Sequence, residues 1–275
     1  MEGRGKMSKE YDVYEHVKKL WKKNAENKNH YTIPINSEDI EEARKGNLKI
    51  YLTRNKLIPR SWFPQSLTGL KVLALASGGG QQGPLLAAAG ADVTVLDSSP
   101  QQLEQDRVVA EKEKLSIKLI EGDMCKLYLY FEQEYFDLII NPASSMYIKD
   151  INAMYKGVEY VCKPGGLFMT AFINPAFFLF DHYKMELGIF EAKYKIPYNP
   201  FEQLNGLELT YMKNIDCEIA FGHSLTELIG YQLEYGFNIC GFYEDTNYVK
   251  LDELMEPSMA TLSIKGKSTN SHITP

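Results

Sequence analysis

Between residues 70 and 173 the chain alternates short, predominantly apolar runs with segments whose apolar residues recur every three or four positions. The runs 71–76, 92–96, 117–120, 136–140 and 167–173 have strand length and end in turn residues. Three of the segments between them read as helices. The first, 82–89, is stopped by Gly90, and the second opens at Ser99 with Pro100 at its first position and Gln102 completing a capping box. The third begins at Asp150, shows Ile151, Met154, Tyr155 and Val158 on one face, and is ended by Lys163-Pro164-Gly165-Gly166. Strands that are apolar on both sides predict a parallel sheet covered by helices on both faces.

Upstream, Val13, Val17, Leu20 and Trp21 fall at i, i+4, i+7 and i+8, one face of a helix. A second helix is signalled by Ser37 as N-cap, Glu38 and Asp39 in the first turn, Arg44 and Lys45 in the last, and Gly46 as terminator. Because both precede the first strand, residues 1–69 are expected to lie across the domain as a helical lid. Beyond Asn174 the rhythm breaks. Phe177, Phe178, Phe180, Tyr183, Phe190, Tyr194, Tyr198 and Phe201 follow no clean period and offer either core packing or an apolar acceptor pocket. Ile215, Cys217, Ile219 and Phe221 alternate with polar neighbours, which predicts extended structure over 209–221. Ser224 and Glu227 form a second capping box, opening a helix closed by Gly236, and 237–243 and 259–264 read as a last, antiparallel strand pair at the sheet edge. The expected organisation is a main domain over 70–265 with a substrate-recognition insertion at about 174–222, and a polar tail over 266–275.

Composition adds exclusions. A formal charge of −6 argues against a broad nucleic-acid footprint, which needs clustered lysine and arginine. Cysteines at 125, 162, 217 and 240 include no Cys-x-x-Cys pair and no histidine at ligand spacing, so they read as buried thiols of a reducing compartment, not as a zinc site or disulfide framework. The first ten residues lack the apolar core of a signal peptide, and no run reaches the roughly 18 apolar residues of a membrane helix. A cytoplasmic protein without membrane insertion is the expectation.

The chemistry concentrates at 72–83, Val-Leu-Ala-Leu-Ala-Ser-Gly-Gly-Gly-Gln-Gln-Gly, a strand, a tight turn and a helix start. Such a turn presents backbone N–H groups and lets a ligand approach the main chain closely. Gly78-Gly79-Gly80-Gln81-Gln82-Gly83 satisfies G-x-G-x-x-G, and Asp97 follows Gly78 by 19 residues, near the spacing of a ribose-binding acid. A nicotinamide-dependent oxidoreductase is one reading of that pattern, although no second mononucleotide-binding half follows strand three.

Gly122-Asp123-Met124 after strand three, Lys-Pro-Gly-Gly before strand five and the closing strand pair together resemble the class I S-adenosylmethionine-dependent methyltransferases, and within them the small-molecule, UbiE-like group. The resemblance covers roughly 70–173 and implies a Rossmann-like α/β fold, a seven-stranded, mostly parallel sheet with helices on both faces and the last strand antiparallel. It implies S-adenosyl-L-methionine as cofactor, S-adenosyl-L-homocysteine as product and a small-molecule methyl acceptor. It places Ala76, Ser77, Gly78, Gly79, Gly80, Asp97, Ser98, Gly122, Asp123, Met124 and Asn141 around the cofactor: the turn at its methionine part, Asp97 at the ribose hydroxyls, Asp123 and Met124 flanking the adenine, and Asn141 where the methyl meets its acceptor. The family usually has an acid where this chain has Ala74 and a glycine where it has Ala76, which leaves the cofactor's ammonium without its charged partner. That departure also motivates a third reading, a non-catalytic cofactor-binding protein of the same fold. His223 and Tyr147 are the candidate catalytic residues, His223 having a loop or capping role as its alternative. His182 and His30 read better as surface residues.

Overall fold

The computed structural model describes residues 11–29, 32–214 and 218–267. His30, Cys217 and the end of the tail lie outside the described residues. Seven strands form one sheet: β1 (Lys71–Leu75), β2 (Asp92–Asp97), β3 (Ile117–Glu121), β4 (Phe136–Asn141), β5 (Cys162–Ile173), β6 (Phe237–Asp245) and β7 (Ser258–Lys265), in the order β3-β2-β1-β4-β5-β7-β6. The first five are mutually parallel, and β7 runs antiparallel to both β5 and β6. The last strand is thus antiparallel as expected, but it is inserted between β5 and β6, so the edge position falls to β6.

The period-two alternation of each strand sorts the core. Val72, Ala74, Val93, Val95, Leu138 and Ile140 face one layer, with α3 (Gln82–Ala88), α4 (Pro100–Glu113) and residues of the 48–67 segment such as Leu52 and Trp62. Leu73, Leu75, Leu96, Ile139 and Phe168 face the other, beneath α5 (Ile151–Val161). Burying apolar side chains on both sides at about 25 cal/mol per Å² supplies the main stabilisation of such a sheet. Chain order reverses at β1, which pairs with both β2 and β4, and ligand clefts in open parallel sheets form at the carboxyl ends beside that switch point.

Several local expectations need correction. Asn36, not Ser37, caps α2 (Ser37–Arg44), its Oδ1 accepting from Asp39 N at 2.9 Å, because the Ser37 hydroxyl donates instead to Glu113 at 2.6 Å. At α4 the Ser99 hydroxyl oxygen accepts from Gln102 N at 3.4 Å, but the reciprocal half of the box is absent: Ser99 N donates to Asp97 at 2.8 Å and the Gln102 Oε1 atom is buried without a partner. Lys163-Pro164-Gly165-Gly166 is no loop; β5 starts directly at Cys162, and the four residues absorb a register shift against β4. Residues 206–214 are helical, not extended, because Asn205 Oδ1 accepts from Leu207 N and Glu208 N, both at 3.0 Å, while Glu208 returns a bond to Asn205 N at 3.0 Å. The Ser224 and Glu227 box is complete, with Ser224 N donating to Glu227 at 2.7 Å and Glu227 N to Ser224 at 3.2 Å.

The N-terminal helix α1 (Val13–Glu26) is capped by Asp12, buries Val17 and Leu20, packs against α4 and pairs Lys18 with Glu121 at the end of β3. Among the described residues no helix is long and apolar enough to cross a membrane. Cys162 is buried, Cys125 is half-buried and Cys240 is exposed, and all three are free thiols, so burial holds for only part of the set.

Candidate active site

Two confluent cavities open at the carboxyl ends of β1 to β4. The smaller, about 210 Å³, is walled by Val13 and Tyr14 of α1, Leu96 and Asp97, the Gly122 to Cys125 turn, and Tyr147 to Lys149. The larger, about 400 Å³, takes in Trp21, residues 51–54, Ala76 to Gly78, Gln81, Gln82, Gln102, Pro142 to Ser144, Met146, Ile173, Glu218, Asn247 and Ser258. Val17, Ala76, Asp97, Ser98, Met124 and Tyr147 belong to both, so the two chambers share one wall.

The first loop enters the site at Ala76, whose N–H donates to Leu96 O at 2.7 Å and whose φ of 48° lies in the left-handed region. Glycine adopts this conformation freely, whereas alanine carries about 1 kcal/mol of strain there, so the residue that replaces the family's glycine keeps the glycine backbone. Gly78 N–H then donates to Asp97 Oδ2 at 2.9 Å. A Cβ on Gly78 would stand 2.7 Å from Gln102 Cβ and 3.1 Å from Asp97 Cγ, which explains the requirement for glycine. Gly79 and Gly80 turn away. The Gly79 N–H donates to Asp106 Oδ2 at 3.0 Å and to Gln102 O at 3.1 Å, and Gly80 O accepts from Ile35 N at 3.0 Å, so these two glycines anchor α4 and the N-terminal segment and line neither cavity.

Asp97 holds Gly78 N–H on one oxygen and Ser99 N–H, at 2.8 Å, on the other. Burial pushes its carboxyl above the usual range, against the pull of the Ser99, Gly78 and Ser98 amides. Asp123 accepts from Cys125 N at 2.9 Å and pairs with Lys126 at 3.0 Å, which fixes the turn that carries Met124. Burial, reinforced by the Asp123 charge, raises the Tyr14 phenol to about 12 and the Cys125 thiol to about 12, so both stay protonated beside this carboxylate.

Asn141 does not line the site. Fully buried, its amide nitrogen donates to Leu75 O at 3.0 Å and to the Ser144 hydroxyl at 2.8 Å, and its oxygen accepts from the Thr170 hydroxyl at 3.2 Å. Pro142, Ala143 and Ser144 reach the cavity in its place. Tyr147 is buried where the chambers meet, with its ring edge-on to Trp21 at 5.7 Å, and Glu218 lines the larger chamber with it; burial raises the Glu218 carboxyl and the Tyr147 phenol counters that shift.

His223 is absent from both linings. Its Nε2 lies 3.1 Å from Ser145 O and 3.0 Å from Ile148 O, and two carbonyls require that nitrogen to carry the proton. Burial holds its pKa below the ordinary value, so the imidazole is a neutral strut beneath the turn that carries Tyr147. Phe221 N–H adds a bond to Met146 O at 2.7 Å, so residues 221–223 are fastened along that same turn. His182 packs on Phe177, with ring centroids 5.0 Å apart, and also lines neither cavity.

None of the eight aromatic residues singled out between 177 and 201 lines either of these two cavities; Phe178 and Tyr198 stack at 5.8 Å in a separate cluster with Ile173. The aromatic walls come instead from Tyr14, Trp21, Tyr51 and Tyr147. Sequence reasoning missed Tyr51, Arg54, Glu218, Asn247 and Ser258. Only Glu218 left a signal, as a polar position in the alternation whose apolar partner Ile219 is buried.

A methyltransferase-domain family model matches residues 73–170. The uncharacterized methyltransferase YbaJ of Bacillus subtilis is 42% identical over 250 residues, spanning 91% of this chain and 97% of its own. A ubiquinone biosynthesis O-methyltransferase of Methylocella silvestris is 31% identical over 122 residues, 42% of this chain and 45% of its own length. In fold the chain is similar to the magnesium protoporphyrin IX methyltransferase of Synechocystis, whose structure holds S-adenosylhomocysteine, with a TM-score of 0.57 at 13% identity over 93% of this chain and all of that one. These relatives give no support to the nicotinamide-dependent reading or to the non-catalytic one. The cofactor is S-adenosylmethionine, and the chain belongs to the class I S-adenosylmethionine-dependent methyltransferases.

Proposed function

We propose that this methyltransferase acts on a small-molecule acceptor held in the larger cavity. The observation that carries the reading is the pair of chambers with a common wall: one is narrow and largely apolar beside Gly122 to Met124, and the other, about 400 Å³, has the size of a small-molecule site. The residues present fit the cofactor. Met124, with the Asp123 turn, would hold the adenine; Asp97, whose oxygens each spend one lone pair on a backbone amide, would take the ribose hydroxyls; and the Cβ-free surface of Gly78 would lie along the amino-acid part. The bound cofactor supplies an electrophilic methyl on a positively charged sulfur.

The chain's own share of the chemistry is placement. In-line displacement gains most of its rate from holding the acceptor near the methyl carbon, and Tyr147, on the turn propped by His223, belongs to the wall common to both chambers. His223 therefore acts as a positioning residue, and Tyr147 is the candidate that touches reacting groups. Residues 1–69 serve as a lid through α1 and Tyr51, and the 174–222 insertion closes the acceptor side through Glu218. The partial relative named for ubiquinone biosynthesis supports a small acceptor. A cytoplasmic location belongs to the same reading and is supported by the free thiols.

Calorimetric titration with S-adenosylhomocysteine tests the cofactor assignment, with one-site binding expected. Labelled methyl transfer from S-adenosylmethionine into small-molecule, protein and nucleic-acid fractions then tests the acceptor class. Label entering only the macromolecular fractions would overturn the proposal.

A further inference from the structure

The family's acid is missing at Ala74, which is fully buried within β1, so a carboxylate for the cofactor's ammonium has to come from elsewhere. Three carboxylates line the two cavities among the described residues: Asp97, Asp123 and Glu218. Asp123 lies in the smaller chamber only and is paired with Lys126. Asp97 sits at the common wall, where its two oxygens hold Gly78 and Ser99. Glu218 lines the larger chamber only, together with Ser77 and Gly78, the turn assigned to the amino-acid part. Among the described residues no salt bridge holds it; Arg54, which lines the same chamber, donates to Asn247 O at 2.9 Å and lies over the Tyr248 ring, and the Tyr147 phenol favours the Glu218 anion against the desolvation of burial.

Its position is built. Ile219, next in the chain, is fully buried, and Phe221 and His223 bond to the backbone of the turn that carries Tyr147. The acid and the phenol that orients it therefore belong to one fastened unit. We infer that Glu218, oriented by Tyr147, is the anionic partner of the cofactor's α-ammonium group, in place of the family's acid at position 74. The inference rests on the cofactor placement proposed above. It gives the 174–222 insertion a role in holding the cofactor as well as the acceptor, and it couples the two through Tyr147.

The test is calorimetry on the full chain with two ligands, S-adenosylhomocysteine and 5′-methylthioadenosine, the second keeping the nucleoside and thioether but lacking the amino-acid group. For Glu218→Gln we expect affinity for S-adenosylhomocysteine to fall roughly tenfold, the size of a charge-assisted contact at a partly solvated site, with methylthioadenosine affinity unchanged. Tyr147→Phe should show a smaller loss of the same selectivity. Equal affinity of wild type and Glu218→Gln for S-adenosylhomocysteine would overturn the inference, as would a parallel loss for both ligands, which marks a structural role. A wild-type protein that binds neither ligand would instead overturn the cofactor placement itself.

Discussion

Replacing Asp106 by asparagine should stabilise the protein, and increasingly so as pH rises from 4 to 8. Asp106 lies fully buried on α4 behind the glycine turn. One oxygen accepts from Gly79 N–H at 3.0 Å, while the other, Oδ1, has no partner. One helical turn earlier, Gln102 Oε1 is likewise a buried acceptor with no donor. Burial pushes the Asp106 carboxyl from 3.8 up to about 8, overriding the Gly79 and Gly80 amides that favour the anion. The native state therefore keeps a proton that the unfolded chain releases above pH 3.8. The stability associated with this group is fully present below pH 3.8 and falls by about 1.4 kcal/mol per pH unit until the native carboxyl also ionises near pH 8. At pH 7 the loss amounts to at most about 4 kcal/mol. Asparagine does not titrate, keeps an oxygen for the Gly79 amide and puts an N–H₂ in place of the unpartnered Oδ1. Urea denaturation of wild type and Asp106→Asn at pH 5, 6, 7 and 8 measures the effect as the difference between two midpoints, which removes all other titrations. Midpoints that stay parallel across the series would show that Asp106 is ionised in the native state and would refute the reasoning.

Asp97→Ala should weaken S-adenosylhomocysteine binding by roughly 1.5 to 3 kcal/mol, the range for hydrogen bonds to a charged group; unchanged calorimetric affinity in a folded variant would remove Asp97 from the ribose. His223→Ala leaves the carbonyls of Ser145 and Ile148 without a donor and should cost about 1 to 3 kcal/mol of stability, with His223→Gln recovering part of it in thermal melts. Because burial lowers the His223 pKa, its contribution is present above the unfolded value near 6.5 and is lost as pH falls, so the stability advantage of wild type over His223→Gln should shrink below pH 6.5. Gly222→Ala would place a Cβ 2.5 Å from Phe178 Cγ, in a segment whose backbone pairs with Tyr198. A loss of roughly 1 to 3 kcal/mol is expected, visible as faster proteolytic cutting within 174–222.

Much of the architecture was legible because the strands carry their apolar residues on both sides; Val72 and Ala74 against Leu73 and Leu75 leave a doubly covered parallel sheet as the natural arrangement. Of the residues assigned to the cofactor, those that strand order alone puts at the carboxyl edge, Ala76 to Gly78, Asp97 and Gly122 to Met124, line a cavity. The site was misread where side-chain direction decides. Gly79 and Gly80 share the motif with Gly78 yet face α4, and Asn141 ends β4 yet spends its amide on the neighbouring strands. The helix over 206–214 was hidden because the alternation of Ile215, Cys217, Ile219 and Phe221 was carried back over it, whereas the cap formed by Asn205 and Glu208 decides its start. Glu218 and residues 51–54 reach the cavity through tertiary packing, which no local pattern encodes.

Asn141 has a consequence for motion. One carboxamide at the end of β4 ties Leu75 at the end of β1, Thr170 within β5 and the Ser144 hydroxyl, so β1, β4 and β5 move as a single block here. Adjustments on ligand binding are then assigned to what lies above that block: α1, the 145–148 turn and residues 218–223. In amide hydrogen exchange, strand residues such as Leu75, Asn141 and Thr170 should open only with global unfolding, while the amides of α1 exchange through local openings that a bound cofactor slows. The floor of the active site is a fixed anvil, and specificity is worked from the roof.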